Sequence, residues 1–136
     1  ATWRGRQGRR RCDWLNEPKR VLIVDDSMVM RRMIQDLLSK NGFAVAGQAK
    51  NGVEAVDMYT KTRPDLVTMD VIMPGETGVD VVKRIISMDR DARIMMVSGL
   101  NQKTLVLQAL QNGAKEFIVK PFQEKDLLEA ARKTAR

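Results

Sequence analysis

A chain of 136 residues, 43% apolar and 30% charged, has the size and composition of one globular domain with a single core. The absence of histidine removes the commonest general base, the usual catalytic triads and most zinc sites, and a lone Cys12 leaves no internal disulfide. No apolar stretch approaches the ~20 residues that span a bilayer and no signal-peptide pattern opens the chain, so a cytoplasmic protein without membrane association is expected.

The net charge of +7 divides unevenly along the chain. Residues 1–18, ATWRGRQGRRRCDWLNEP, hold five arginines against Asp13 and Glu17 and show no helical or strand period. They read as a disordered or artificial basic extension, with a basic arm for nucleic acid or an acidic partner as the other reading. In residues 19–136, 19 basic and 15 acidic residues are scattered, so no direct nucleic-acid binding is expected there.

From Lys19 onward, short apolar runs alternate with helical periods. Val21–Val24, Leu66–Met69, Ile94–Val97 and Phe117–Val119 are continuous rather than alternating, as expected for parallel strands covered on both faces. The more polar Phe43–Ala49 suits an edge strand. Met28–Lys40 repeats apolar residues at three-to-four spacing through Met30, Met33, Ile34, Leu37 and Leu38. Asn51 with Glu54 resembles a capping box opening a helix to about Lys61. Thr77–Met88 carries Val79, Val82, Ile85 and Ile86 on one stripe. Asn101–Gln111 carries Leu105, Leu107 and Leu110 and stops at Asn112-Gly113, and a last helix runs from about Gln123 to Thr134. Five βα units in sequence predict a (βα)5 α/β fold: a doubly wound parallel sheet in the flavodoxin-like order 2-1-3-4-5. The pattern ends with the fifth helix, so no appended output domain is expected.

Ligand sites in such sheets lie beyond the carboxyl ends of the strands. The first strand ends in Asp25 and Asp26, the third in Asp70, the fourth in Ser98 and Gly99, and the fifth in Lys120 and Pro121. Three carboxylates, one hydroxyl and one ammonium therefore converge on one sheet edge. Buried carboxylates are costly unless a cation binds them, and Mg²⁺ is the hard oxygen-seeking ion that fits. Asp70 then becomes a candidate nucleophile for an aspartyl-phosphate, with Asp26 (through metal), Lys120 and Ser98 supplying contacts to the phosphoryl group.

VLIVDDS, DLVTMDVIMPGETG, IMMVSG and FIVKPF, in this order and spacing, resemble the receiver domains of two-component response regulators, particularly the single-domain chemotaxis (CheY-like) type. The resemblance covers residues 19–136 and implies the following. Asp70 accepts a phosphoryl group from a histidine of a sensor kinase. Asp26 and Asp70 ligate Mg²⁺ directly, Asp25 acts through water, and the backbone carbonyl of Ile72 completes the protein ligands. Lys120 contacts the phosphoryl group, Ser98 moves to hydrogen-bond it, and Phe117 is the aromatic switch that turns inward. Met73, Pro74 and Gly78 match the loop after the acceptor, and the Lys120–Pro121 peptide is expected to be cis. The surface read by a downstream target, a flagellar motor switch as the leading expectation, is the fourth helix, fifth strand and fifth helix. Such a protein is a phosphoacceptor rather than an enzyme acting on others. It is monomeric, or weakly dimeric once phosphorylated, and is open to a partner phosphatase. A phosphorelay intermediate or another stand-alone receiver is the alternative.

Two positions depart from a generic receiver: Ile72 and Leu100 are apolar where a polar side chain would orient water, which predicts slow self-dephosphorylation. A Mg²⁺-dependent phosphatase of the haloacid dehalogenase-like class wants a second aspartate where Ile72 stands. A flavin-binding module wants a Ser/Thr/Gly-rich loop where Asp25 and Asp26 stand.

Overall fold

The computed structural model describes residues 17–136. The first sixteen residues, and with them most of the basic extension inferred above, lie outside the described residues. Five parallel strands form one sheet: β1 (Arg20–Val24), β2 (Ala44–Ala49), β3 (Leu66–Asp70), β4 (Ile94–Ser98) and β5 (Glu116–Val119). Their spatial order is β2-β1-β3-β4-β5, the order anticipated above. Five helices connect or follow them: α1 (Met28–Ser39), α2 (Gly52–Thr62), α3 (Gly78–Met88), α4 (Lys103–Gln111) and α5 (Glu124–Ala135).

The continuous apolar runs have a direct cause. Each central strand is buried on both faces. Val21 and Ile23 of β1, Leu66 of β3 and Met95 and Val97 of β4 pack toward Ile34 and Leu38 of α1 and Leu127 and Ala131 of α5. The intervening Leu22, Val24, Val67, Met69, Ile94 and Met96 pack toward Ala55 and Tyr59 of α2, Val82 and Ile85 of α3 and Val106 and Ala109 of α4. Alternating side chains thus feed two cores from one ribbon. Thr68, in the middle of β3, is the polar exception: it is buried, and its hydroxyl has no hydrogen-bond partner among the described residues.

Several local readings need correction. The stripe in α4 is not Leu105, Leu107 and Leu110: Val106 and Ala109 are the buried residues, Leu105 and Leu110 are partly covered, and Leu107 is half exposed. That helix starts at Lys103 rather than Asn101, because Asn101 adopts a left-handed conformation (φ 68°). Phe43 lies outside β2, which starts at Ala44. In α1, Ile34 and Leu38 are buried while Met33 faces out. The Asn51 cap is real, since its Oδ1 accepts from the Glu54 amide at 2.8 Å. The reciprocal half is displaced by one residue: Glu54 accepts from the Lys50 amide, not from Asn51. The reciprocal arrangement occurs at α3 instead, where Thr77 and Asp80 cap each other.

β3 hands over to α3 through a two-residue antiparallel ribbon, Ile72–Met73 against Glu76–Thr77, turning at Gly75 with φ 84°. At the end of this turn Gly78 comes so close to β3 that a Cβ would sit 2.2 Å from the Asp70 carbonyl oxygen, a separation no side chain tolerates. Among the described residues, no helix is long and apolar enough to cross a membrane.

Candidate functional site

The carboxyl ends of β1 and β3 bring Asp25, Asp26 and Asp70 together, with one carboxylate oxygen from each lying within 4.8 Å of the others. Their environments differ. Asp25 is 1% exposed and held at four points. Its N–H donates to the Ala49 carbonyl (3.0 Å), and its carbonyl accepts from Arg31 Nη1 (2.7 Å). Its Oδ1 accepts from the Ser27 amide (2.8 Å) and its Oδ2 faces Lys120 Nζ (3.4 Å). Asp26 is exposed at the rim. Asp70 is 6% exposed at the floor, with Oδ1 3.4 Å from Lys120 Nζ.

Lys120 therefore spans two carboxylates with one ammonium. It comes from the end of β5, and its amide donates to the Ser98 carbonyl at 2.7 Å, which ties the lysine to the end of β4. The Lys120–Pro121 peptide is cis. One lysine does not offset three acids. Burial first, and then the charge of Asp25, raise the Asp70 carboxyl from 3.8 to about 6; a hydrogen bond with Asp26 adds to the rise and Lys120 opposes it.

The end of β4 faces elsewhere. Ser98 is buried, and its Oγ donates to the Ile118 carbonyl of β5 at 3.3 Å. The next amide, Gly99, donates to the side-chain oxygen of Gln102 at 2.6 Å. Phe117 is 42% exposed. It lines, with Ser98, Leu100, Val106, Leu107 and Val119, an apolar groove of about 260 Å³ between β5 and α4. Ile72 and Leu100 are both exposed on the loops that follow β3 and β4. In the loop after the acidic floor, Met73 is buried and Pro74 is exposed. Gly78 N–H donates to the Val71 carbonyl.

Two contributors escaped the sequence reading, Arg31 and Gln102. Both act on main-chain groups, and neither has a motif. The only trace of Arg31 was its position, a cation in the first turns of α1 where the helix dipole disfavours one.

The donor set suits a hard divalent cation: three carboxylates cluster, and the two buried ones share a single ammonium. This acidic crevice lies at the carboxyl edge of a doubly wound sheet, with a lysine just past the last strand, and residues 21–132 match the response regulator receiver domain family, to which the chain belongs. It is thus a response regulator domain of two-component signalling. It is closely similar to chemotaxis proteins. The CheY of Bacillus subtilis is 52% identical over 115 residues, covering 85% of this chain and 96% of that protein. The CheY of Thermotoga maritima is 48% identical over 118 residues, covering 87% and 98%. Among solved structures, the CheX–CheY–BeF3–Mg complex of Borrelia burgdorferi superposes with a TM-score of 0.83 at 34% identity, covering 89% of this chain and 92% of that one.

Proposed function

We propose that this protein is a cytoplasmic chemotaxis switch that takes a phosphoryl group from a sensor-kinase phosphohistidine onto Asp70. The observation that carries this reading is the geometry around Asp70: a buried carboxylate at a strand end, 3.4 Å from an ammonium it shares with Asp25, under an exposed Asp26. An Asp70 oxygen attacks phosphorus, the P–N bond to the donor imidazole breaks, and the imidazole leaves with the bonding pair and takes up a proton. At neutral pH most Asp70 is ionised, which the attack requires.

Asp26 and Asp70, with the Ile72 carbonyl, would hold Mg²⁺ directly. Both Asp25 oxygens are already engaged by Ser27 and Lys120, which favours an outer role for that residue. The ion, when bound, neutralises the carboxylates and spreads the charge of the phosphoryl oxygens. Lys120 orients the acyl phosphate as a point charge. Ser98 leaves the Ile118 carbonyl to donate to the phosphoryl group, and Phe117 turns from the surface into the groove it now flanks. The change in α4, β5 and α5 is then read by a downstream target, for which the receiver resemblance implies a flagellar motor switch protein; the relatives' role in chemotaxis supports this reading. Ile72 disfavours the phosphatase alternative, because no carboxylate stands there to serve as acid or base.

The test is incubation with acetyl phosphate and Mg²⁺, followed by mapping of the added 80-dalton group by mass spectrometry on the order of minutes after mixing, short against acyl-phosphate decay. Labelling is expected on Asp70, dependent on Mg²⁺ and lost in Asp70→Asn. Labelling elsewhere, or unchanged in that variant, sinks the reading.

A further inference from the structure

We propose that Arg31 is a positioning residue for the acidic site, holding the Asp25–Asp26 peptide so that the Asp26 carboxylate is presented toward Asp70. The proposal rests on the Mg²⁺-binding reading above and adds a residue that the receiver motifs do not include.

Arg31 stands in a place where its charge is unfavourable. Its own amide donates to the Ser27 carbonyl in the first turn of α1, so the guanidinium sits at the positive end of the helix. Its neighbour Arg32 does what a surface arginine usually does: it is well exposed and pairs with Asp36 one turn on, at 3.7 Å. Arg31 instead folds back. Nη1 donates to the Asp25 carbonyl at 2.7 Å, and Nε donates to Gln48 Oε1 of the edge strand at 3.0 Å. The Gln48 amide group in turn donates to Gln35 Oε1 on α1. The guanidinium is therefore braced on one side by β2 and α1 through Gln48, and with Nη1 it holds the carbonyl next to the site.

That carbonyl belongs to the peptide joining Asp25 to Asp26, so its direction sets the plane from which Asp26 departs. The other main-chain group of Asp25 is fixed by Ala49, and its side chain by Ser27 and Lys120. Asp26 stands exposed at the rim, where its side chain meets that of Asp70. The Arg31 bond thus acts on the carbonyl of the peptide that leads directly into the proposed ligand.

Charge and geometry make opposite forecasts, which gives the test its edge. Deleting a cation beside three carboxylates leaves the cluster more negative and, through Coulomb attraction alone, tightens Mg²⁺. Releasing a supporting contact loosens the ligand and weakens Mg²⁺, by about tenfold to a hundredfold for such outer contacts. Calorimetric titration of MgCl₂ into the full chain would compare wild type, Arg31→Met and Arg32→Met, each checked as folded by circular dichroism at the titration temperature. The expected result is weakening of about tenfold in Arg31→Met and none in Arg32→Met. Acetyl-phosphate labelling of Arg31→Met should need more Mg²⁺ for half-saturation yet approach the wild-type plateau rate, a split that general destabilisation does not produce. Unchanged or tighter Mg²⁺ binding by folded Arg31→Met overturns the proposal. Should Arg31→Met not fold, Gln48→Ala decides, since it keeps the charge and removes the brace: weaker Mg²⁺ supports the proposal and wild-type affinity overturns it. Wild-type protein that binds no Mg²⁺ instead defeats the reading beneath it.

Discussion

At Asp70 the folded chain holds a proton more tightly than the unfolded chain does, because burial and the Asp25 charge raise its carboxyl to about 6. Its contribution to stability is therefore fully present below about pH 4 and is lost as pH rises through 6. Asp70→Asn removes that penalty. A two-unit rise corresponds to at most about 3 kcal/mol, and the water-facing side of the cluster reduces this to about 1–2 kcal/mol. Metal-free Asp70→Asn should accordingly be more stable than wild type at pH 7.5, with the difference vanishing near pH 4; denaturant melts at the two pH values check it. A methyl group at Gly78 would strike the Asp70 carbonyl, so Gly78→Ala should lose about 2–3 kcal/mol and slow labelling of Asp70 as the strand end shifts. Ile72 lies exposed beyond Asp70, the proposed acceptor, with no polar group for an attacking water. Ile72→Asn should shorten the acyl-phosphate lifetime, measured as loss of label after the donor is removed. The strand-end acids and Lys120 were legible because an apolar run that stops at a charge marks where a buried strand emerges. Arg31 and Gln102 were not, because a side chain that grips a distant carbonyl or amide leaves no pattern in the chain.

Among the elements, α4 is the one whose face was misread. Three leucines suggested its buried side, but the helix rests on the sheet through the smaller Val106 and Ala109. Packing through small residues turns Leu107 outward, and with Phe117 and Val119 it frames the apolar groove. Leucine spacing alone does not reveal how close a helix comes to its sheet, and that distance decides which residues are covered. The start of α4 is equally particular. Gln102 makes no cap to its own helix; it reaches back to the Gly99 amide beside Ser98. Loss of that bond in Gln102→Ala is worth about 1 kcal/mol, so amide exchange over residues 99–103 should quicken about fivefold while that of β1 and β3 is unchanged. The strands and the helix order, by contrast, were legible throughout, since continuous apolar runs between helical periods admit few arrangements other than a two-sided parallel sheet.

For the molecule as a whole, the acidic crevice sets stability against use. Three carboxylates cluster with one lysine that pairs with only two of them, so any cation that binds the folded state alone should stabilise it. Saturation to a hundredfold above the dissociation constant corresponds to about 2.7 kcal/mol, and Mg²⁺ should raise the melting temperature of wild type much more than that of Asp26→Asn. At the centre of the sheet lies a second, unrelated weakness, the Thr68 hydroxyl with no partner among the described residues. Thr68→Val keeps the shape, removes the buried polar group and should add about 1 kcal/mol, seen as a rise of about 3–6 °C in melting temperature. Since that position takes no part in the acidic crevice, the substitution offers a sturdier background for experiments. Damaging changes such as Gly78→Ala or Arg31→Met could then be assayed in a chain that keeps its fold, separating lost chemistry from lost structure.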